Sequence, residues 1–107
     1  LYNASYLSIP ASEYATELLS ECNFKDGILR GIPNSVRIAH KFGESMVGKD
    51  HELHESAIVY INNKPYLITI MTKGPDVRKL PEVLSIISRI TYDFMSQGSD
   101  PAKNVII

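Results

Sequence analysis

Two apolar segments separated by a tight polar turn constrain the fold of this chain most strongly. Residues 57–61 and 65–73 are rich in aliphatic and aromatic side chains, and Asn62-Asn63-Lys64 lies between them. Asparagine tolerates the left-handed backbone conformation of tight turns, so the sequence predicts two antiparallel strands. Both strands carry apolar residues on both faces, whereas a sheet with one face in water alternates apolar with polar residues. We therefore expect both faces of the sheet to be covered, either within this chain or by other parts of a longer parent protein.

A third strand is predicted before this pair. In residues 36–43, Val36, Ile38 and Phe42 alternate with residues of the opposite face, and Gly43 ends the run. The polar segment 44–55 that follows is predicted to be a loop. Because the connections are short, we expect the three strands to be antiparallel, since a parallel neighbour needs a long crossover.

A helix is predicted on each side of the strands. Residues 11–22 and 81–95 show helical periodicity, with Ser8 as a cap for the first helix and Pro81 in the first turn of the second. The apolar stripes are Tyr14, Ala15, Leu18, Leu19 and Cys22 in the first helix, and Leu80, Val83, Leu84, Ile87, Ile90 and Phe94 in the second. The order predicts an α+β fold, a three-stranded antiparallel sheet packed with N- and C-terminal helices.

Composition narrows the class of protein. The chain has 107 residues and a net charge of -1, which fits one domain and implies neither a nucleic acid nor an anionic membrane as partner. No apolar run approaches the roughly 20 residues of a membrane span. The only cysteine, Cys22, rules out an internal disulfide. We expect residues 1–97 to form the domain and residues 98–107 to form a tail, and the initial Leu1 indicates a fragment or a processed product.

The segment His40-Lys41-Phe42-Gly43-Glu44 is the strongest chemical signal. A lysine at a strand end can hold an anionic substrate, and a glycine lets a substrate lie against the backbone. The backbone N–H of Glu44, just past that glycine, can donate to a developing oxyanion. The alternative is an edge strand whose exposed lysine guards against aggregation.

Two other signals are weaker. His51 and His54, among carboxylates, could bind a metal on a helix, but their spacing is not H-E-x-x-H, and in an extended segment they point to opposite sides. We therefore expect no metal, and we expect no cofactor. No serine lies in G-x-S-x-G or S-x-x-K. The chain therefore shows no nucleophile for the acyl-transfer chemistry that residues 40–44 suggest.

Taken in order, these segments resemble the C-terminal part of class A β-lactamase-like serine hydrolases, the penicillin-recognising fold. The resemblance covers about residues 1–97. It is carried by the helix at 13–22, the approach Gly27-Ile28-Leu29-Arg30-Gly31-Ile32-Pro33, the strand at 36–43, the strands at 57–60 and 66–72, and the helix at 80–95.

The resemblance implies a role for each residue of the segment. Lys41 would be the lysine of the family's lysine–threonine–glycine box, anchoring the substrate carboxylate and supporting proton transfer, and Gly43 would be the box glycine. The Glu44 N–H would be an oxyanion donor, while His40 and Phe42 would also contact substrate. Phe42 stands where the family has a hydroxyl residue. The S-x-x-K and S-D-N elements have no counterpart, so the nucleophile and base would come from an N-terminal half outside this sequence.

The expected function is therefore one part of a hydrolase that acylates a serine on a β-lactam or related amide or ester and then hydrolyses the acyl-enzyme. One alternative is a non-hydrolytic module that binds or senses β-lactam or peptidoglycan, and another is an unrelated α+β interaction domain. The resemblance implies a bacterial protein that is extracellular or associated with the cell envelope. We also expect self-association through the strand at 65–73, because the N-terminal half would otherwise cover its edge.

Overall fold

The computed structural model of the chain describes residues 1–62 and 64–97. Helix α1 (Ile9–Ser20) is followed by a 3₁₀ turn (Ile28–Gly31), strands β1 (Arg37–Val47), β2 (Asp50–Tyr60) and β3 (Tyr66–Gly74), and helix α2 (Lys79–Ser96). The sheet has the order β1-β2-β3, and both pairs of neighbours are antiparallel. This confirms the predicted α+β fold. The predicted tail at 98–107 lies outside the described residues.

The predicted loop at 44–55 is wrong. These residues continue β1 and begin β2, and Val47 pairs with Asp50 across the turn residues Gly48 and Lys49. Gly48 has a φ of +63°, the left-handed conformation that suits glycine. The strands were missed because Leu53 and Glu55 are the only residues of this segment that reach the core, and the rest of the hairpin end lies beyond it. From Gly43 to Val47 every residue is exposed, so the backbone ladder forms without an apolar pattern.

One face of the sheet forms the main core. Helix α2 and the 3₁₀ turn cover this face, which we call the core face. Its buried apolar residues are Ile38, Leu53, Ala57, Val59, Tyr66, Ile68 and Ile70, and they pack with Ile28, Leu80 and Leu84. Side chains alternate along a strand, so the residues between them point to the opposite face, which carries Lys41 and is here called the lysine face.

The lysine face is covered only in part. Helix α1 and the residues before it lie against the start of β1, where Tyr2 contacts Tyr60 with ring centroids 6.4 Å apart. Farther along the sheet, Leu67 and Met71 of β3 are each 72% exposed. The expectation that both faces are covered therefore holds for the described residues only on the core face, and β3 has a free edge.

Helix α2 buries only part of its predicted stripe, namely Leu80 and Leu84. Its predicted stripe included Ile87 and Ile90, but Ile90 is 64% exposed, whereas Ser85 and Ser88 are buried. The small serines face the 3₁₀ turn, where Gly31 lets the turn approach the helix backbone. Helix α1 shows a similar difference, because it buries Ser12 and Thr16 while Tyr14 and Leu18 remain exposed. Apolar periodicity identified both helices and placed Leu80 and Leu84 correctly in the core, but it missed the small polar residues on the packed sides.

No helix within the described residues combines the length and the apolar character needed to cross a bilayer.

The buried hydroxyl of Tyr66 gives stability a dependence on alkaline pH. Burial raises the pKa of Tyr66 from its ordinary value of 10.0 to about 12. The unfolded chain therefore loses this proton first, and the free energy of unfolding should fall as pH rises from about 10 to about 12.

The Tyr66 hydroxyl has no hydrogen-bond partner among the described residues. Tyr66→Phe should therefore leave stability at pH 7 unchanged or raise it by about 1 kcal/mol, and should flatten the alkaline decline. Urea unfolding at pH 7 and across pH 9–12 measures both effects. Tyr60, whose pKa burial also raises, should leave a residual slope. A loss of stability in the variant at pH 7 would show that the hydroxyl is bonded.

Candidate functional site

The candidate site lies on β1, an edge strand of the sheet. Alternation places Lys41 and Gly43 on the lysine face, with Ser56 opposite Lys41 and His54 opposite Gly43 on β2. His40 and Phe42 lie on the core face. The structure thus divides the five predicted site residues between two faces of one strand.

Lys41 is exposed, and its ammonium lies beside the backbone of the same strand. Its Nζ donates to the Phe42 carbonyl oxygen at 2.7 Å and lies 4.6 Å from the centroid of the Phe42 ring. No carboxylate among the described residues forms an ion pair with this ammonium. Its charge is therefore available to an anion at the edge of β1.

Phe42 is half-buried and packs against Phe24, with ring centroids 4.5 Å apart. This contact joins β1 to the segment that precedes the 3₁₀ turn. The packing explains the bulky residue that the sequence places between Lys41 and Gly43. It also means that this position offers an aromatic surface and no hydroxyl.

Neither a close contact among the described residues nor the backbone conformation requires a glycine at residue 43. A Cβ built at this residue meets no heavy atom within 4 Å, and its φ is outside the left-handed region. A glycine inside a strand costs roughly 0.5–1 kcal/mol relative to alanine. The strand therefore has open space beside Gly43, into which another group can approach the backbone.

His40 is placed differently from the predicted substrate contact. Its side chain is buried, 2% exposed, on the core face, and Nδ1 lies 2.6 Å from Glu55 Oε2. We therefore assign the His40 side chain to the core and not to a ligand. The sequence reasoning missed Glu55 altogether. The available signal was its position in the alternating apolar series Leu53, Ala57 and Val59, where a lone carboxylate needs a buried partner.

The two histidines of β2 point to opposite faces, as three-residue spacing in a strand requires. The His54 Nδ1 accepts a hydrogen bond from the Thr72 N–H at 3.2 Å, so its Nε2 carries the proton and lies 3.3 Å from Glu52 Oε2. His54 is thus already engaged by β3 and by a carboxylate. Arg37, the other basic side chain near the site, stacks over Tyr60 at 5.2 Å and lies ~13 Å along the strand from Lys41.

An open cleft of about 480 Å³ lies on the lysine face beside Lys41, between the sheet and the first residues of the chain. Most of its lining is apolar. Lys41 and Ser56 supply polar atoms, and the Ser56 hydroxyl is hydrogen-bonded to the Thr69 hydroxyl at 2.9 Å. The cleft places a cation, a hydroxyl pair and the Gly43 strand on one face.

The sequence of residues 1–95 matches the model of the β-lactamase enzyme family. The chain belongs to the β-lactamase enzyme family. This membership agrees with the predicted resemblance and with the order of helix, three strands and helix.

Solved structures of similar fold include PBP-A, with a TM-score of 0.73 and 18% sequence identity. A leucine-to-glutamate variant of PBP-A, solved as an acyl-enzyme complex with penicillin G, matches with a TM-score of 0.72 and the same identity. Each match covers 91% of this chain and 36% of the PBP-A chain, so the sequence spans about a third of the length of these structures. Comparison with curated proteins gave no match.

Proposed function

We propose that this chain supplies the lysine–glycine wall of an acyl-transfer site in a serine β-lactamase-like hydrolase. The proposed substrate is a β-lactam or a related amide or ester, and the serine and its base belong to a segment outside the 107 residues. The observation that carries the proposal is Gly43. The chain belongs to this family, and Gly43 follows Lys41 and Phe42 on a strand edge that no described strand covers. The space beside Gly43 is open.

Lys41 would hold the substrate carboxylate, because its ammonium is exposed and is not paired with any described carboxylate. An ammonium attracts an anion most strongly where water is excluded, which the remainder of such a domain would provide. The aromatic ring of Phe42 would then line the site in place of the usual hydroxyl.

The backbone N–H of Glu44 would be one oxyanion donor. In an antiparallel strand, the N–H and C=O of one residue point to the same side, and those of the next residue point to the other side. The Phe42 carbonyl accepts from the exposed Lys41 ammonium, which supports its lying on the edge of β1 that no described strand covers. The Glu44 N–H, two residues later, would then point to the same edge and be free to donate to a tetrahedral intermediate.

A specific observation favours a second candidate function. Phe42 packs on Phe24 and offers no hydroxyl to a substrate carboxylate. A site without that hydrogen bond favours slow deacylation or simple binding, so the alternative is a β-lactam or peptidoglycan sensor on the same fold.

The test is acylation of the complete natural protein that carries this chain by a labelled penicillin, followed by intact mass spectrometry over time. Rapid loss of the adduct supports a hydrolase, and a lasting adduct supports the sensor. Absence of any adduct would overturn both candidates. The 107 residues alone should form no adduct, since they contain no S-x-x-K serine.

The same proposal includes a location and a principal partner. We also propose that the complete protein lies in a bacterial cell envelope or outside the cell, and membership of the family supports this location. The partner is the N-terminal part of the domain, which would cover the lysine face and the edge of β3. The exposed Leu67 and Met71 mark that surface.

Alone in solution, the chain should self-associate through β3 at micromolar concentration, because an exposed apolar edge pairs with other strands. Leu67→Lys combined with Met71→Lys should make it monomeric by adding charges to that surface. Analytical ultracentrifugation measures the change. Tyr6→Lys is the control, since Tyr6 is also a large exposed side chain but lies outside the sheet. A wild-type chain that stays monomeric would show that β3 is not an association surface.

A further inference from the structure

Glu55 is a charged side chain that lies wholly inside the core. It is 1% exposed, and glutamate is almost never fully buried unless it is paired. Its Oε1 accepts a hydrogen bond from the Ile28 N–H at 2.8 Å, and its Oε2 lies 2.6 Å from His40 Nδ1. A carboxylate only accepts hydrogen bonds, so with Glu55 in that form the proton of the second bond comes from His40 Nδ1.

The segment before the 3₁₀ turn packs closely against this carboxylate. A Cβ at Gly27 would lie 2.3 Å from Glu55 Oε1 and 2.6 Å from the Phe24 ring, so only glycine leaves room for both. On the other side of the turn, the Ser88 hydroxyl donates to the Ile28 carbonyl at 2.7 Å. Glu55 therefore links β2 to β1 and to the 3₁₀ turn. The Ser88 hydrogen bond links the same turn to α2.

These contacts lie directly behind the candidate site. His40 immediately precedes Lys41, and Phe42 is opposite Glu55 in the β1–β2 pairing. Phe42 in turn packs against Phe24, which lies just before the segment that Glu55 holds. The two core-face residues on either side of Lys41 are thus fixed by one carboxylate, directly for His40 and through the Phe24 segment for Phe42.

We propose that Glu55 is a positioning residue for the Lys41–Glu44 strand. It fixes His40 in the tautomer with the proton on Nδ1, and through His40 and the Phe24 segment it sets the position of Lys41 and of the Glu44 N–H. Glu55 does not touch the substrate. This inference rests on the proposed acyl-transfer function for its catalytic consequence, but its structural part stands independently.

Glu55→Gln tests the inference with little change of shape. The glutamine oxygen can still accept from the Ile28 N–H, but its amide must then donate to His40 Nδ1 and move the imidazole proton to Nε2. We expect the ¹⁵N shifts of the His40 ring in this chain to show the reversed tautomer. The amide resonances of residues 41–44 should move with it. Glu52→Gln, on the lysine face of the same strand, is the matched control and should leave the His40 tautomer unchanged.

In the complete protein, Glu55→Gln should slow acylation by penicillin about 10-fold or more. The penicillin concentration that gives the half-maximal rate should change little, because a small displacement of catalytic groups lowers the rate more than the binding affinity. Glu55→Asp, which keeps the charge, should recover part of the rate if it folds. A wild-type protein that forms no adduct overturns the proposed function and leaves the tautomer result standing. An unchanged tautomer, or unchanged resonances at 41–44, overturns the positioning role.

Discussion

Gly31→Ala should lower the free energy of unfolding by about 3 kcal/mol, at the upper end of the range for overpacking a tight contact. The added Cβ would lie 2.5 Å from the Ser85 carbonyl oxygen and 2.7 Å from the Arg89 nitrogen. Both are backbone atoms of α2 and cannot rotate aside. The helix would have to move away from the 3₁₀ turn, which separates Ser88 from the Ile28 carbonyl and exposes Leu84.

Gly43→Ala is the matched control for that experiment. The same methyl group at Gly43 meets nothing within 4 Å, so we expect stability to stay the same or to rise by up to about 1 kcal/mol. Urea unfolding of both variants at one pH gives the comparison. Equal effects of the two substitutions would mean that α2 does not pack as closely on the turn as the structure shows.

Lys41→Ala should reduce the rate of acylation of the complete protein by labelled penicillin about 100-fold, the magnitude typical for loss of one preorganised electrostatic contact in an active site. The residue is exposed and bonds only to its own strand, so stability should change little. The loss should therefore appear in the rate and not in the melting temperature. Stopped-flow or quenched acylation with a fluorescent penicillin measures it.

Lys49→Ala is the control for charge. Lys49 lies in the turn at the end of the same hairpin, so its removal changes the net charge equally but leaves the Lys41 region intact. Acylation of this variant at the wild-type rate is expected. If Lys41→Ala also acylates at that rate, Lys41 does not bind the substrate, and the proposed wall of the site is wrong.

The strands at 57–61 and 65–73 were predictable because they are rich in apolar residues and a short polar turn separates them. Residues 57–61 and 65–73 pair as expected, since Ile58 lies opposite Leu67 and Val59 opposite Tyr66. The exposed end of the β1–β2 hairpin was not predictable in this way. Its stability comes from backbone pairing, which leaves no apolar pattern in the sequence.

The candidate site was predictable only in part. The roles of Lys41, Gly43 and the Glu44 N–H stay predictions, whereas alternation along β1 and burial separate the His40 side chain from those of Lys41 and Gly43. The Glu55 pair depends on residues 15 positions apart, and its bond to Ile28 spans 27 positions. Such polar contacts are set by tertiary packing. A periodic pattern reveals that Glu55 occupies a core position but not which partner meets it.

The protruding end of the β1–β2 hairpin has a consequence for variation in this protein. No core side chain comes from residues 43–47, and the connection at Gly48 and Lys49 is only two residues long. Beyond the Glu44–Leu53 pair, where Ser45–Val47 face Asp50–Glu52, the ribbon can therefore gain or lose residues in matched pairs, one from each strand, while the pairing of Lys41 with Ser56 is preserved. The end of this hairpin would then lie beside the proposed substrate. Its length could alter which substrates fit without altering how the domain folds.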